Sequence, residues 1–397
     1  MSAQRPLSGL KLVEFSHMVM GPSCGVILAD LGCDVIKIEP VKEGDKTRRL
    51  PGSGAGFFVT FNRNKRSLAI DLKTPKGLAI VKRLIAQADI LTENFRPGAL
   101  DAMGLGYEAL KIANPRLIYC SMKGFLAGPY EQRAALDEVV QMMGGLAYMT
   151  GPPGRPLRAG ASVNDIMGGM FAAIAILAAL EQRHATGQGQ YVKSALFESN
   201  MFLVAQHMMQ YKVTGKPAAP MPARISAWGV YDVFDTAGPE QIFVGIVSDT
   251  QWIAFCDAFD RPDLKAQPNL ASNALRVAAR ETLIPDLRAL FATRSSSDIA
   301  ALCEKARLPF APIKKPEDLF NDPHLNAPGA MVEVSLGDGR TAPVPALPIA
   351  MNGERLGLHR DVPRIGEDSV AILQELGFDA DDIAALRAEG IVQGTDA

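Results

Sequence analysis

Asp165 stands alone between Ser162-Val163-Asn164 and a long apolar run, residues 166–180. A carboxylate at the doorway of an otherwise oily helix can act as a nucleophile, because a helix N-terminus favours its ionised form. Asp is also a preferred N-cap, and the two roles are compatible. Asp137, ahead of Glu138-Val139-Val140-Gln141, is the competing carboxylate and has the same cap-like setting. Polar side chains also gather at turns. His17, Asn94, Arg96 and Lys123 each follow an expected strand, while Lys37 and Lys73 lie at or just past strand ends. Asn62-Arg63-Asn64-Lys65-Arg66 puts three cations in five residues, which taken alone reads as a solvated loop. Several cationic turns on one sheet edge, beside a lone Asp, suggest an enzyme that holds a large anionic carrier. Such an enzyme would move an acyl group through a covalent Asp adduct.

Other chemistries find less support. The first strand–helix turn, residues 17–25, lacks the glycine spacing that brings a pyrophosphate onto a helix N-terminus, which demotes a nicotinamide or flavin enzyme. His17, His184 and His207 are scattered, with no Ser or Cys partner at a suggestive spacing, so a nucleophile–His–Asp triad is not indicated. No metal-ligand spacing is present, and no metal is expected.

These side chains need a scaffold. Residues 11–15, 34–38, 67–72, 89–92 and 117–121 read as strands. Residues 22–31 and a segment opened by Thr74-Pro75 read as intervening helices. This alternation predicts an α/β fold with an open, Rossmann-like parallel sheet, whose ligands gather outside the strands' C-terminal ends. Helices are expected at 137–143, 165–184 and 196–211, with a strand at 190–193 between the last two. The proline-rich stretch 216–222 reads as a linker. Beyond it, strands at 231–234 and 241–246 and helices over 250–305 suggest a smaller α+β unit. A strand-and-proline segment at 331–348 and closing helices at 368–377 and 381–389 follow. The expected division is a large domain at 1–215, linker and small domain at 216–330, and a return to the large domain at 331–397.

Composition sets the outer bounds. A chain of 397 residues, 48% hydrophobic, can bury a full core. A net charge of -2 provides no basic field for nucleic acid or an anionic membrane surface, so any anion site must be a local pocket. Five scattered cysteines without a CxxC pair argue against disulfides and structural zinc and fit a reducing compartment. The N-terminus has no signal-peptide core, and the 166–180 run is shorter than a membrane span needs, so it reads as a buried core helix. A soluble, cytoplasmic protein is expected.

Residues 7–15, 34–40, 62–67, 71–77, 93–98, 103–107 and 114–121 closely resemble the family III CoA-transferases, the formyl-CoA transferase and carnitine CoA-transferase group. Asp165 falls where that family has its catalytic Asp, and Thr186-Gly187-Gln188-Gly189-Gln190 resembles the turn after its long helix. The C-terminal half resembles it more loosely, through Asn321-Asp322-Pro323-His324 and residues 373–378.

The resemblance implies a large α/β domain built from both chain ends, a small domain, and a homodimer whose chains interlock. It implies that Asp165 attacks an acyl-CoA thioester to form an aspartyl anhydride, with no permanently bound cofactor. It places His17, Met18, Ile70, Lys73, Asn94, Phe95 and Lys123 along the CoA site, with Arg96 as a phosphate contact. Three departures stand out. A glutamine two residues after the His position is Val19, an arginine before the Met-Gly pair is Ala102, and residues 224–229 lack the glycine-rich loop of formyl-CoA transferase. These weigh against formate and oxalate. The related acyl-CoA racemases have a His base where this chain has Leu136, which favours transfer over racemisation of a 2-methylacyl-CoA. A non-catalytic CoA-binding module is the third alternative. The overall pattern resembles the dicarboxylate branch, which uses succinyl-CoA, and Arg48, Arg158 and Arg224 are candidates for a distal carboxylate.

Overall fold

A computed structural model describes residues 5–224 and 226–394. The chain forms two compact units, one comprising Met1–Pro222 with Pro323–Ala397, the other Ala223–Asp322. The smaller unit thus begins where the expected 216–222 linker ends, and residues 323–330 go with the larger unit.

In the larger unit, strands β1 (Lys11–Phe15), β2 (Asp34–Glu39), β3 (Lys65–Ile70), β4 (Ile90–Glu93), β5 (Ile118–Lys123) and β6 (Tyr191–Ala195) pair in parallel, in the order β3-β2-β1-β4-β5-β6. This is the doubly wound order, whose topological switch point lies between β1 and β4. Neighbouring residues of a strand point to opposite faces, and both faces are covered. Leu12 and Val35 enter one core and Val13 and Ile36 the other. That is why these strands read as continuous apolar runs rather than alternating ones. A seventh strand, Val392–Gln393, pairs antiparallel with β3 at the sheet edge. Two residues long, it gives no period of its own to read.

Helix α1 (Met20–Asp30) packs beneath the sheet against a long helix, Val163–Thr186. Gly168 and Gly169 permit that approach. A Cβ on Gly169 would stand 2.6 Å from the Met20 carbonyl oxygen, and one on Gly168 would stand 2.4 Å from the Met20 Cε. The long helix has 24 residues, extending past the apolar run at both ends. By length and composition the whole helix, unlike the apolar run within it, is sufficient to cross a membrane. It also fulfils the core-helix expectation in part, since Ala172, Ala173, Ile176, Ala179 and Leu180 are buried in the larger unit's core.

The Asn62–Arg66 segment is neither a solvated loop nor part of a phosphate edge. Arg63 pairs with Asp30 at 2.6 Å, Lys65 with Glu14 at 2.9 Å, and Arg66 with Asp34 and Glu375. Asn64, with φ of 62°, accepts from the backbone N–H groups of His359 and Arg360 and donates to Asp30. The segment leads into β3 and includes its first two residues, so it lies at the N-terminal ends of the strands, where it fastens the returning chain.

The smaller unit holds a three-stranded antiparallel sheet, Val230–Asp235, Gln241–Ile246 and Phe310–Pro312. Helices including Asp249–Ala258, Arg280–Phe291 and Ser296–Lys305 cover it around a core of Phe234, Phe255, Phe259 and Phe291.

Candidate active site

At the switch point the loops after β1 and β4 are clamped together. Asn94 Nδ2 donates to the His17 carbonyl at 2.8 Å, and the His17 N–H donates to Asn94 Oδ1 at 3.0 Å. Met18 takes a left-handed backbone with φ of 63°. The His17 ring tilts against Phe95, with centroids 5.5 Å apart. Desolvation holds His17 below its ordinary imidazole value, which favours the neutral ring.

A buried ion network supports this turn from below. Glu14 and Lys37 are register partners on β1 and β2, and Lys37 Nζ donates to the Ser16 carbonyl at 2.8 Å while pairing with Asp45 at 2.9 Å. Lys65 joins from β3 at 2.9 Å from Glu14, and burial pushes its ammonium down to about 8. Gly25 leaves room for these charges, since a Cβ there would lie 1.7 Å from Glu14 Oε2. Buried charges of this kind persist only when paired and hydrogen-bonded.

Above the switch point opens a cavity of about 630 Å³. It brings together Asp165 with His17, Met18, Asn94, Phe95, Arg96 and Lys123. It does not include Ile70 or Lys73. Ile70 is buried in the core under the far side of the sheet, and Lys73 is exposed in the turn after β3, two strands away from β1. Lys123 reaches the cavity already neutralised. Its ammonium donates to Glu93 Oε2 and to the Phe95 carbonyl, each at 2.6 Å, and the same carboxylate accepts from Ser121 and the Phe95 N–H. The cavity's cations without a carboxylate partner among the described residues are Arg96 and Arg133, the latter stacked over Tyr130 at 4.9 Å. Arg133 was not apparent in the sequence, because it sits in a loop without a motif.

Asp165 differs from its expected setting in two ways. Helix α2 (Asp137–Met143) precedes α3 (Val163–Thr186), and α3 begins two residues before Asp165, after Ser162. Asp165 is therefore a first-turn residue and not the N-cap. The capping oxygen comes from Asp137, whose Oδ1 accepts from the Asn164 N–H at 2.8 Å and the Asp165 N–H at 3.3 Å. Asp137 Oδ2 accepts from Gln141 at 2.5 Å. The competing carboxylate is thus a cap, for a helix other than its own. The second difference is electrostatic. Burial and then the Asp137 carboxylate push the Asp165 carboxyl up to about 7, against a smaller pull from Arg158. The helix N-terminus does not keep it fully ionised at neutral pH.

The order of the strands and the clamped loops thus place the Asp165 carboxyl, raised to about 7, in a cavity at the switch point. The sequence model of CoA-transferase family III matches residues 7–369. A succinate–glutarate CoA-transferase from Agrobacterium fabrum is 35% identical, over 94% of this chain and 96% of its own. A succinyl-CoA:glutarate CoA-transferase from Homo sapiens is 32% identical, over 98% of this chain and 90% of its own. Among solved structures, a CAIB/BAIF family protein from Brucella suis superposes with a TM-score of 0.83 at 35% identity, covering 94% of this chain and 100% of that one.

Proposed function

The chain belongs to CoA-transferase family III and is a CoA-transferase, and from that premise we propose that it passes CoA from succinyl-CoA to a second dicarboxylic acid through Asp165. The observation that carries this reading is the half-buried Asp165 carboxyl in the switch-point cavity, beside the clamped His17 and Asn94. Ionised Asp165 attacks the thioester carbonyl. The C–S bond breaks, CoA leaves as thiolate, and a mixed anhydride remains. The acceptor carboxylate then attacks the Asp165 acyl carbon and expels the donor acid. Finally the retained thiolate attacks the acceptor's carbonyl, which forms the new thioester and restores the Asp165 carboxylate. Covalent catalysis of this kind divides one hard exchange into easier steps.

His17, Met18, Asn94 and Phe95 serve as the wall for the CoA arm, and Arg96 as a phosphate contact. Lys123 acts mainly by holding the Phe95 loop through Glu93. Ile70 and Lys73 would meet the carrier only beyond the cavity. Leu136, 62% exposed at the cavity wall, offers no proton and argues against racemisation. Exposed apolar side chains on the long helices, including Met170, Ile174, Phe202 and Met209, support self-association as the interlocked homodimer that the family resemblance implies. Five unpaired, buried cysteines support a reducing, cytoplasmic setting.

The test is direct. Asp165→Ala should abolish exchange of succinyl-CoA with a panel of acids while CoA binding persists, and hydroxylamine should trap the wild-type acyl-enzyme at Asp165. Full activity in the variant would overturn the mechanism. The panel should favour longer dicarboxylates such as glutarate over formate and oxalate, with no α-deuteration of a 2-methylacyl-CoA in heavy water.

A further inference from the structure

Of the three arginines considered for a distal carboxylate, Arg158 is the one that lines the Asp165 cavity. Arg48 faces a separate cavity of about 600 Å³ and is clamped to Glu39 by two hydrogen bonds. Arg224 belongs to the smaller unit. The guanidinium of Arg158 has three engagements of unequal strength. Its Nε donates to the neighbouring Ala159 carbonyl at 3.1 Å, and Nη2 lies 3.7 Å from Asp137 Oδ2. Its Nη1 donates to Glu138.

The two acids differ in their freedom to leave. Asp137 is buried and committed to the α3 N-terminus and Gln141. Glu138 is 53% exposed, and among the described residues Arg158 is its only partner. An exposed ion pair is worth little, so Glu138 can swing into water and leave a planar N–H fork open toward the cavity. Such a fork matches a carboxylate in two-point contact.

We propose that Arg158 binds the distal carboxylate of the dicarboxylic substrate, and that Glu138 occupies this place until substrate displaces it. The inference rests on the dicarboxylate reading above and adds the recognising residue and its internal competitor. It follows that Glu138 sets the acceptor's KM by competing for Arg158, whereas removing the guanidinium removes discrimination altogether.

The experiment compares KM for a dicarboxylic acceptor with KM for its monocarboxylic analogue, using the full-length enzyme and the same acyl-CoA donor. Arg158→Gln should raise the dicarboxylate KM by about 10- to 100-fold and bring the two acids' values together, with Arg158→Lys between it and wild type. Glu138→Gln should lower the dicarboxylate KM severalfold. Equal depression of kcat for both acids in Arg158→Gln, with their KM ratio unchanged, would assign Arg158 to holding Asp137 and overturn the proposal. If the arginine variants do not fold, an unchanged dicarboxylate KM in Glu138→Gln does the same. A wild-type enzyme that fails to exchange CoA with any dicarboxylate would instead remove the underlying functional reading.

Discussion

Asp165 must lose its proton to attack, and its surroundings resist that loss up to about pH 7. The rate constant kcat/KM for acyl-CoA should therefore climb about tenfold per pH unit below neutrality and level off above it. Asp137→Asn keeps a capping oxygen but removes the like charge, so its rising limb should shift to lower pH. A limb that stays in place would show that burial alone sets the value. The same carboxyl bears on stability. Its folded value lies above the unfolded one, so stability is present at acid pH and is lost as pH rises from about 4 toward 7. Asp165→Asn should consequently melt above wild type at pH 8, by the equivalent of up to a few kcal/mol, and alongside it at pH 4. At this scale the sequence was informative where a residue's role depends on near neighbours, as with Asp165 before its apolar run. It was silent where the partner is distant. Nothing near Lys123 announces that Glu93 neutralises it, and nothing near Asn164 points to a capping oxygen from Asp137.

At the level of elements, the switch-point loops and the glycine contact between α1 and α3 do most to place the site. Asn94→Ala removes both hydrogen bonds that tie the two loops, and a net 0.5–1.5 kcal/mol for each predicts KM for acyl-CoA raised roughly tenfold. A rise in neither KM nor temperature sensitivity would show the clamp to be redundant. Gly169→Ala forces a methyl group against the Met20 carbonyl and the Cys24 N–H. It should cost about 1–3 kcal/mol in urea unfolding and lower kcat, because α3 carries Asp165 with it. The strand–helix alternation made the parallel sheet legible, since each unit is local. The start of α3 was misplaced by two residues because Asp165 has the chemistry of a cap and a different residue supplies one.

Across the whole molecule, the first and last parts of the chain are bound to each other. Asn64 gathers the backbone of His359 and Arg360, Arg66 reaches Glu375, and Val392–Gln393 closes the free side of β3. Asn64→Ala, which loses its side-chain hydrogen bonds to His359, Arg360 and Asp30, should lower stability by roughly 2–3 kcal/mol, readable in urea, with little change in the pH profile. These long-range ties were the least legible part, because Asn62–Arg66 looks like any charged turn until its partners some 300 residues away are known. One consequence concerns synthesis. The strand that seals β3 leaves the ribosome only after the smaller unit, which is encoded in one uninterrupted stretch, Ala223–Asp322. During translation the later-encoded unit can finish folding first, while the earlier-made sheet waits with an unpaired edge that invites pairing with other chains. Stalled nascent chains ending near residue 360 should therefore yield a protease-resistant core from the smaller unit alone, and the larger unit should gain protection only once Val392–Gln393 emerges.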